Sequence, residues 1–142
     1  MNLPELASLP ETMPASELEV LFGKVLLASA TARQKLEALL ELADKQWHCY
    51  APPSEEIGAR ISAFVRESWN PSDLETVKVV LGLVGHLGLS EVVPMLGLAA
   101  ENPQIPTQVR DEIRSAIEEF GPLPLDPYRG VPQKNSLGAA DA

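Results

Sequence analysis

The segment Ile57–Gly88, IGARISAFVRESWNPSDLETVKVVLGLVGHLG, and its successor Leu89–Gly121, LSEVVPMLGLAAENPQIPTQVRDEIRSAIEEFG, read as two copies of one unit. Each holds an apolar-striped stretch, an Asn-Pro break, a second striped stretch and a closing glycine. Ile57, Ile61 and Phe64 correspond to Leu89, Val93 and Leu96, and Asn70-Pro71 to Asn102-Pro103, at a shift of 32 residues. Beyond the break the shift becomes 33, so that Val80, Val84, Leu87 and Gly88 match Ile113, Ile117, Phe120 and Gly121. A period in the low thirties with two amphipathic helices per unit marks an α-solenoid, in which each helical hairpin buries its apolar face only against its neighbours.

Upstream of this pair the same pattern continues in weaker form. Ser16 with Glu19 reads as a capping box for a first helix whose stripe is Leu18, Leu21, Phe22, Val25 and Leu26. Thr31 is a suitable N-cap for a second helix over about 32–46 that buries Leu36, Leu39, Leu40 and Ala43. Ser54 is expected to cap the third helix, Ser72 with Glu75 the fourth, Ser90 to open the fifth and Thr107 to cap the sixth. Apolar residues surround nearly the whole axis of the fourth helix, from Val77 to Val84, so it must be the central one. Gly82 and Gly85 inside it lower helix propensity and therefore predict close approach by neighbouring helices, and Gly88 is placed for a left-handed cap. The expected organisation is an all-α fold of three stacked antiparallel hairpins, at about 16–50, 54–88 and 89–121. Pro4, Pro10 and Pro14 keep residues 1–15 as an arm lying along the domain, and the proline-rich stretch 122–142 is expected to be an extended or disordered tail.

Composition narrows the function classes. With 142 residues the chain is long enough for one domain and one core. Twenty acidic against 11 basic side chains give a net charge of −9, which repels nucleic-acid phosphates and anionic membrane surfaces. A single cysteine, Cys49, excludes an internal disulfide and suits a reducing compartment. The N-terminus does not resemble a signal peptide and no apolar run is long enough to span a bilayer, so a soluble, cytoplasmic protein is expected.

Chemistry is poorly represented. Two histidines and one cysteine, with no GxSxG or HExxH context, supply no nucleophile–base–orienter set. The glycines fall inside or at the end of a helix, not after a strand where they could cradle phosphate. The run Trp47-His48-Cys49-Tyr50 gathers two aromatics, an imidazole and a thiol, yet His86 lies on another helix and no second cysteine exists, so a metal site lacks ligands. Neither an enzyme nor a cofactor is expected. The remaining candidates are surface features: the stripe Glu37, Glu41 and Asp44, read either as a solvated face partly neutralised by a Glu41–Lys45 pair or as a partner contact, and Trp69 before Asn70-Pro71, read either as a lid on the turn or as a contact residue.

The segment Gly82–Gly88, and Val109-Arg110 leading into Ala116–Gly121, resemble HEAT-like repeats, which favour Val-Arg early and Leu-Gly late in the second helix of each unit. The chain departs from that pattern at Thr76-Val77, where Val-Arg would stand, and in having Asn102 and Gln104 in the turn. The resemblance implies a concave face formed by the second, fourth and sixth helices, carrying Glu37, Glu41, Asp44, Asp73, Asp111, Glu112 and Glu118. In size, charge and repeat type the chain is also similar to HEAT-like bacterial immunity proteins. That similarity implies stoichiometric binding and neutralisation of a basic toxin domain, with Trp47, Tyr50 and Trp69 as aromatic anchors. A scaffold or adaptor role in a larger complex is the alternative from another class.

Overall fold

In the computed structural model, which describes residues 2–6, 8–10, 13–48 and 53–120 (the side chains of Trp47 and His48 excepted), all regular structure is helical. Six α-helices follow in order: α1 (Ala15–Leu27), α2 (Ala32–His48), α3 (Glu55–Glu67), α4 (Leu74–Leu87), α5 (Val93–Glu101) and α6 (Thr107–Phe120), with a 3-10 turn at Ser90–Val92 before α5. The tail expected at 122–142 lies outside the described residues, as do Cys49 and Tyr50.

Several helix starts form as their capping chemistry requires. At α2 the Thr31 hydroxyl accepts from the Gln34 amide (3.1 Å) while the Gln34 side chain accepts from the Thr31 amide (3.0 Å), a reciprocal box. Ser54 Oγ accepts from the Ile57 amide at α3. Four other starts differ from the sequence expectation. Helix α1 begins at Ala15 with Pro14 as its cap: the ring holds φ at −61° and the Pro14 carbonyl accepts from Glu17 and Leu18, leaving Ser16 inside the first turn. Asp73, not Ser72, caps α4, since its carboxylate accepts from the Glu75 amide. Ser90 opens a 3-10 turn because Pro94 has no amide to give the Ser90 carbonyl, which accepts from Val93 instead. Thr107 is the first residue of α6, and its hydroxyl accepts from Arg110 Nη2 (3.0 Å).

The internal repeat extends to hydrogen bonds. In the α3–α4 turn Asn70 Oδ1 accepts from the Ser72 amide and the Asn70 carbonyl from the Asp73 amide; in the α5–α6 turn Asn102 Oδ1 accepts from Gln104 and the Asn102 carbonyl from Ile105. Helices α4 and α6 are both 14 residues long and end in register, whereas α5 has only 9 residues against 13 in α3, the 3-10 turn having replaced its first turn.

Packing centres on α4. It packs against α2 and α6, α1 contacts α2 and α3, α3 meets the 3-10 turn, and α5 packs on α6. Val77, Val80, Leu81, Leu83, Val84 and Leu87 of α4 are buried, together with Leu18, Phe22 and Val25 of α1 and Leu36, Leu39, Leu42 and Ala43 of α2. Each fully buried aliphatic or phenyl side chain contributes about 2 kcal/mol relative to exposure. Both glycines of α4 mark close approaches: a methyl on Gly82 would stand 3.0 Å from Leu40 Cδ1, and one on Gly85 3.1 Å from Phe120 Cε1. Gly88, at φ 67°, ends the helix in the left-handed conformation. Lys35 clasps the junction of α1, α2 and α3, donating to the Leu26 carbonyl (2.7 Å) with its ammonium 4.9 Å from the Phe64 ring centre.

Described residues of the N-terminal segment contact the helices. Met13 is buried and Leu3, Leu6 and Leu9 pack half-buried against the core. Lys45 Nζ donates to the Pro10 carbonyl (2.8 Å) and so ties the arm to α2. This replaces the expected Glu41–Lys45 pair: a carbonyl the arm brings to Lys45 serves it in place of an exposed i,i+4 carboxylate, whose attraction is worth only a few tenths of a kcal/mol.

Candidate functional site

Arm, α2 and α4 together enclose an open groove of about 930 Å3. Leu6 and Leu9 come from the arm, Leu40 from α2, and Val79 and Gly82 from α4; these form its apolar lining. Leu40, expected to be buried, is partly buried and packs against the core at the groove, while Leu42 is fully buried. The missing side chain at Gly82 gives Leu40 its place, and a β-carbon there would force it to move. Its polar lining is Glu37, Glu41, Asp44, Lys45 and His86.

The electrostatics follow from where the cations are committed. Lys45 is held by Pro10. Arg33 donates from Nε to Glu37 (3.1 Å) and from Nη1 to Asp73 (3.1 Å), so one guanidinium spans α2 and the start of α4. These pairs are half-exposed, so water and salt screen them. Glu41 is exposed and has no ion-pair partner among the described residues. His86 Nδ1 lies 2.9 Å from the Gly82 carbonyl, which orients the ring, and Nε2 stands 3.8 Å from Asp44 Oδ1 across the helix pair. The lining thus carries three carboxylates, one ammonium and one imidazole.

Asp73 accepts from three donors, the Glu75 amide, the Thr76 hydroxyl and Arg33 Nη1. The Thr76 hydroxyl donates to it at 2.6 Å and lowers its pKa most; the Glu75 amide and the Arg33 guanidinium act in the same direction, against partial desolvation. Such donors favour the charged form, and they make Asp73 a structural tie between helix cap and salt bridge.

Of the residues singled out in the sequence, the structure gathers Glu37, Glu41 and Asp44 along one groove, with Asp73 joined to them through Arg33. Asp111, Glu112 and Glu118 are exposed on α6 and do not line the groove. Asp111 accepts from Arg114 Nη1 (3.3 Å) on its own helix. Trp69 is half-buried against the core at the α3–α4 turn and is likewise outside the groove. Trp47 belongs to the last turn of α2, its side chain outside the described residues like the whole of Tyr50. The residues that sequence reasoning passed over are Leu6, Leu9, Leu40, Val79 and His86 as groove lining. The available signal was the spacing of Leu3, Leu6 and Leu9 between prolines, three apolar residues an exposed arm has no reason to carry.

Among the described residues no group of three or more His, Cys, Asp or Glu side chains is placed to hold a metal ion, and no helix is long and apolar enough to cross a membrane. No family model matches the chain, and neither a curated protein nor a solved structure is detectably similar to it.

Proposed function

We propose that this chain is a protein-binding module of HEAT-like design, three helical hairpins stacked so that α2, α4 and α6 form one row, and that it acts as an immunity protein neutralising a basic toxin domain stoichiometrically. The repeat reading is supported by the matching bonds of the two Asn-Pro turns and by the sequence of contacts α2 to α4 to α6. The binding reading rests on one observation: the α2 carboxylates Glu37, Glu41 and Asp44 border an open groove with an apolar lining. Apolar surface kept open to solvent marks interaction sites, and a single sign of charge around it selects a partner of the opposite sign. The net charge of −9 adds long-range steering toward a basic protein.

The test is affinity capture with the full chain as bait, followed by size-exclusion chromatography with light scattering on the recovered pair. A one-to-one complex with a basic protein whose toxicity is relieved by co-expression supports the reading. A partner that keeps its full activity in the saturated complex supports an adaptor instead, and recovery of no stoichiometric partner removes the binding reading altogether.

A further inference from the structure

The groove has a chemistry of its own. Its apolar residues come from three separate elements, Leu6 and Leu9 on the arm, Leu40 on α2 and Val79 on α4, and Gly82 contributes space instead of a side chain. Glu37, Glu41 and Asp44 stand on successive turns of α2 along the same opening. The ends of that line are engaged and its middle is not: Glu37 shares Arg33 with Asp73, Asp44 stands 3.8 Å from His86 Nε2, Lys45 is drawn to Pro10, and Glu41 has no ion-pair partner among the described residues. An occupant must therefore bring apolar side chains and positive charge together.

We infer that the groove receives a basic amphipathic segment of a partner protein, seating aliphatic or aromatic side chains on Leu40 and Val79 beneath Leu6 and Leu9 while adjacent Arg or Lys side chains pair with Glu41 and the carboxylates on either side of it. This rests on the reading of the chain as a protein-binding module and names the part of the partner that enters. Carboxylates one helical turn apart match cations one turn apart on an amphipathic helix laid along α2, the familiar helix-in-groove arrangement. A volume of about 930 Å3 holds several side chains, more than one cation alone would need. Glu41 is the main contact for charge, because Glu37 already has Arg33 and Asp44 stands near His86.

The probe is a short fluorescein-labelled peptide rich in Arg and Lys with a leucine stripe at helical spacing, titrated with the full chain and read by anisotropy. Two comparators accompany it, one with the leucines replaced by serine and one with the basic residues replaced by glutamate. The expected result is saturable binding of the first peptide that weakens about tenfold when its leucines are lost and disappears in the acidic peptide. The double variant Glu37→Gln/Glu41→Gln should weaken binding about tenfold, and Leu40→Gln by a similar factor, while the charge-matched Glu55→Gln/Glu56→Gln change on α3 leaves it unaltered. Circular dichroism of the variants distinguishes lost contact from lost fold. Amide NMR shifts should fall on Leu40, Val79 and Gly82.

Equal binding of the leucine and serine peptides, equal sensitivity to the α3 and α2 changes, or absence of binding overturns the groove assignment. The module reading falls separately, when the full chain also captures no stoichiometric partner. A captured partner whose affinity depends on Glu112 and Glu118 but not on Glu41 would preserve the module and reject the groove.

Discussion

Helices α2 and α6 are alike in sequence character and unlike in what stands opposite them. Both carry carboxylates on an outer face and apolar residues within: Leu39 of α2 and Ile113 of α6 are each fully buried. Outside, Glu37, Glu41 and Asp44 face a groove walled by the arm and α4, and share it with Lys45 and His86. The acidic residues of α6 do not line this groove; Asp111 pairs three residues along its own helix, and Glu112 and Glu118 are exposed. An acidic stripe becomes a potential recognition element only where other parts of the chain enclose it with apolar surface. Charge pattern alone does not distinguish the two helices.

The largest effects should come from the side on which the helices agree. Leu39→Ala and Ile113→Ala each remove a fully buried aliphatic side chain and should each cost about 2–5 kcal/mol, read from urea unfolding midpoints at constant m-value. A cost below about 1 kcal/mol for Ile113→Ala alone would break the symmetry and leave α6 as a loosely attached end.

Next come the helix starts, where the two begin to differ. Thr31 and Gln34 close the start of α2 with two reciprocal bonds, so Thr31→Ala should cost about 1 kcal/mol. The Thr107 hydroxyl at α6 accepts from Arg110 in an exposed bond, and Thr107→Ala should cost less than about 0.5 kcal/mol. Equal losses in thermal or urea unfolding would show that α6 is capped as firmly as α2.

Acid sensitivity should enter from the α2–α4 side. The folded pKa of Asp73 is held below its ordinary value of 3.8, first by the Thr76 hydroxyl. Its stabilising contribution is therefore fully present above that ordinary value and is lost as pH falls through the lower folded one. Asp73→Asn should reduce the unfolding midpoint at neutral pH and flatten its acid-side decline. A variant whose midpoint declines with acid as steeply as the wild type would place the sensitivity elsewhere, with the α6 carboxylates the first to examine.

Much of the fold was legible because its determinants are local. Periodicity located all six helices, Asn70-Pro71 and Asn102-Pro103 located matching turns, and the Gly82 and Gly85 positions foretold close helix approach. Helix starts were less legible, since Pro14, Asp73 and Pro94 overrode neighbouring serines through fixed φ, a stronger acceptor and a missing amide. The groove was the least legible. It depends on Leu6 and Leu9 coming to rest beside residues of α2 and α4 far along the chain, and on Lys45 choosing a carbonyl 35 residues away over a carboxylate one turn away. No periodicity encodes such contacts, which is why Leu40 was not read as groove lining and Glu41 was read as half of an ion pair.

The smallest effects test the outer face of α6 itself. Asp111 and Arg114 form an exposed i,i+3 pair, whose attraction in water is offset by the entropy of ordering two side chains. Asp111→Asn should therefore change stability by no more than about 0.5 kcal/mol and leave binding of the basic peptide unchanged. Arg114→Met should cost somewhat more, about 0.5–1.5 kcal/mol, because Nη2 of the same guanidinium donates to the Ala100 carbonyl at the end of α5 (2.8 Å) and joins the two helices. The charges of α6 would then be confined to holding α6 to itself and to α5, while Glu41 of α2 remains free of ion pairs among the described residues and available to a partner. If Asp111→Asn weakened peptide binding more than Glu41→Gln does, the two helices would exchange roles, and the partner would have to be sought on the α6 face.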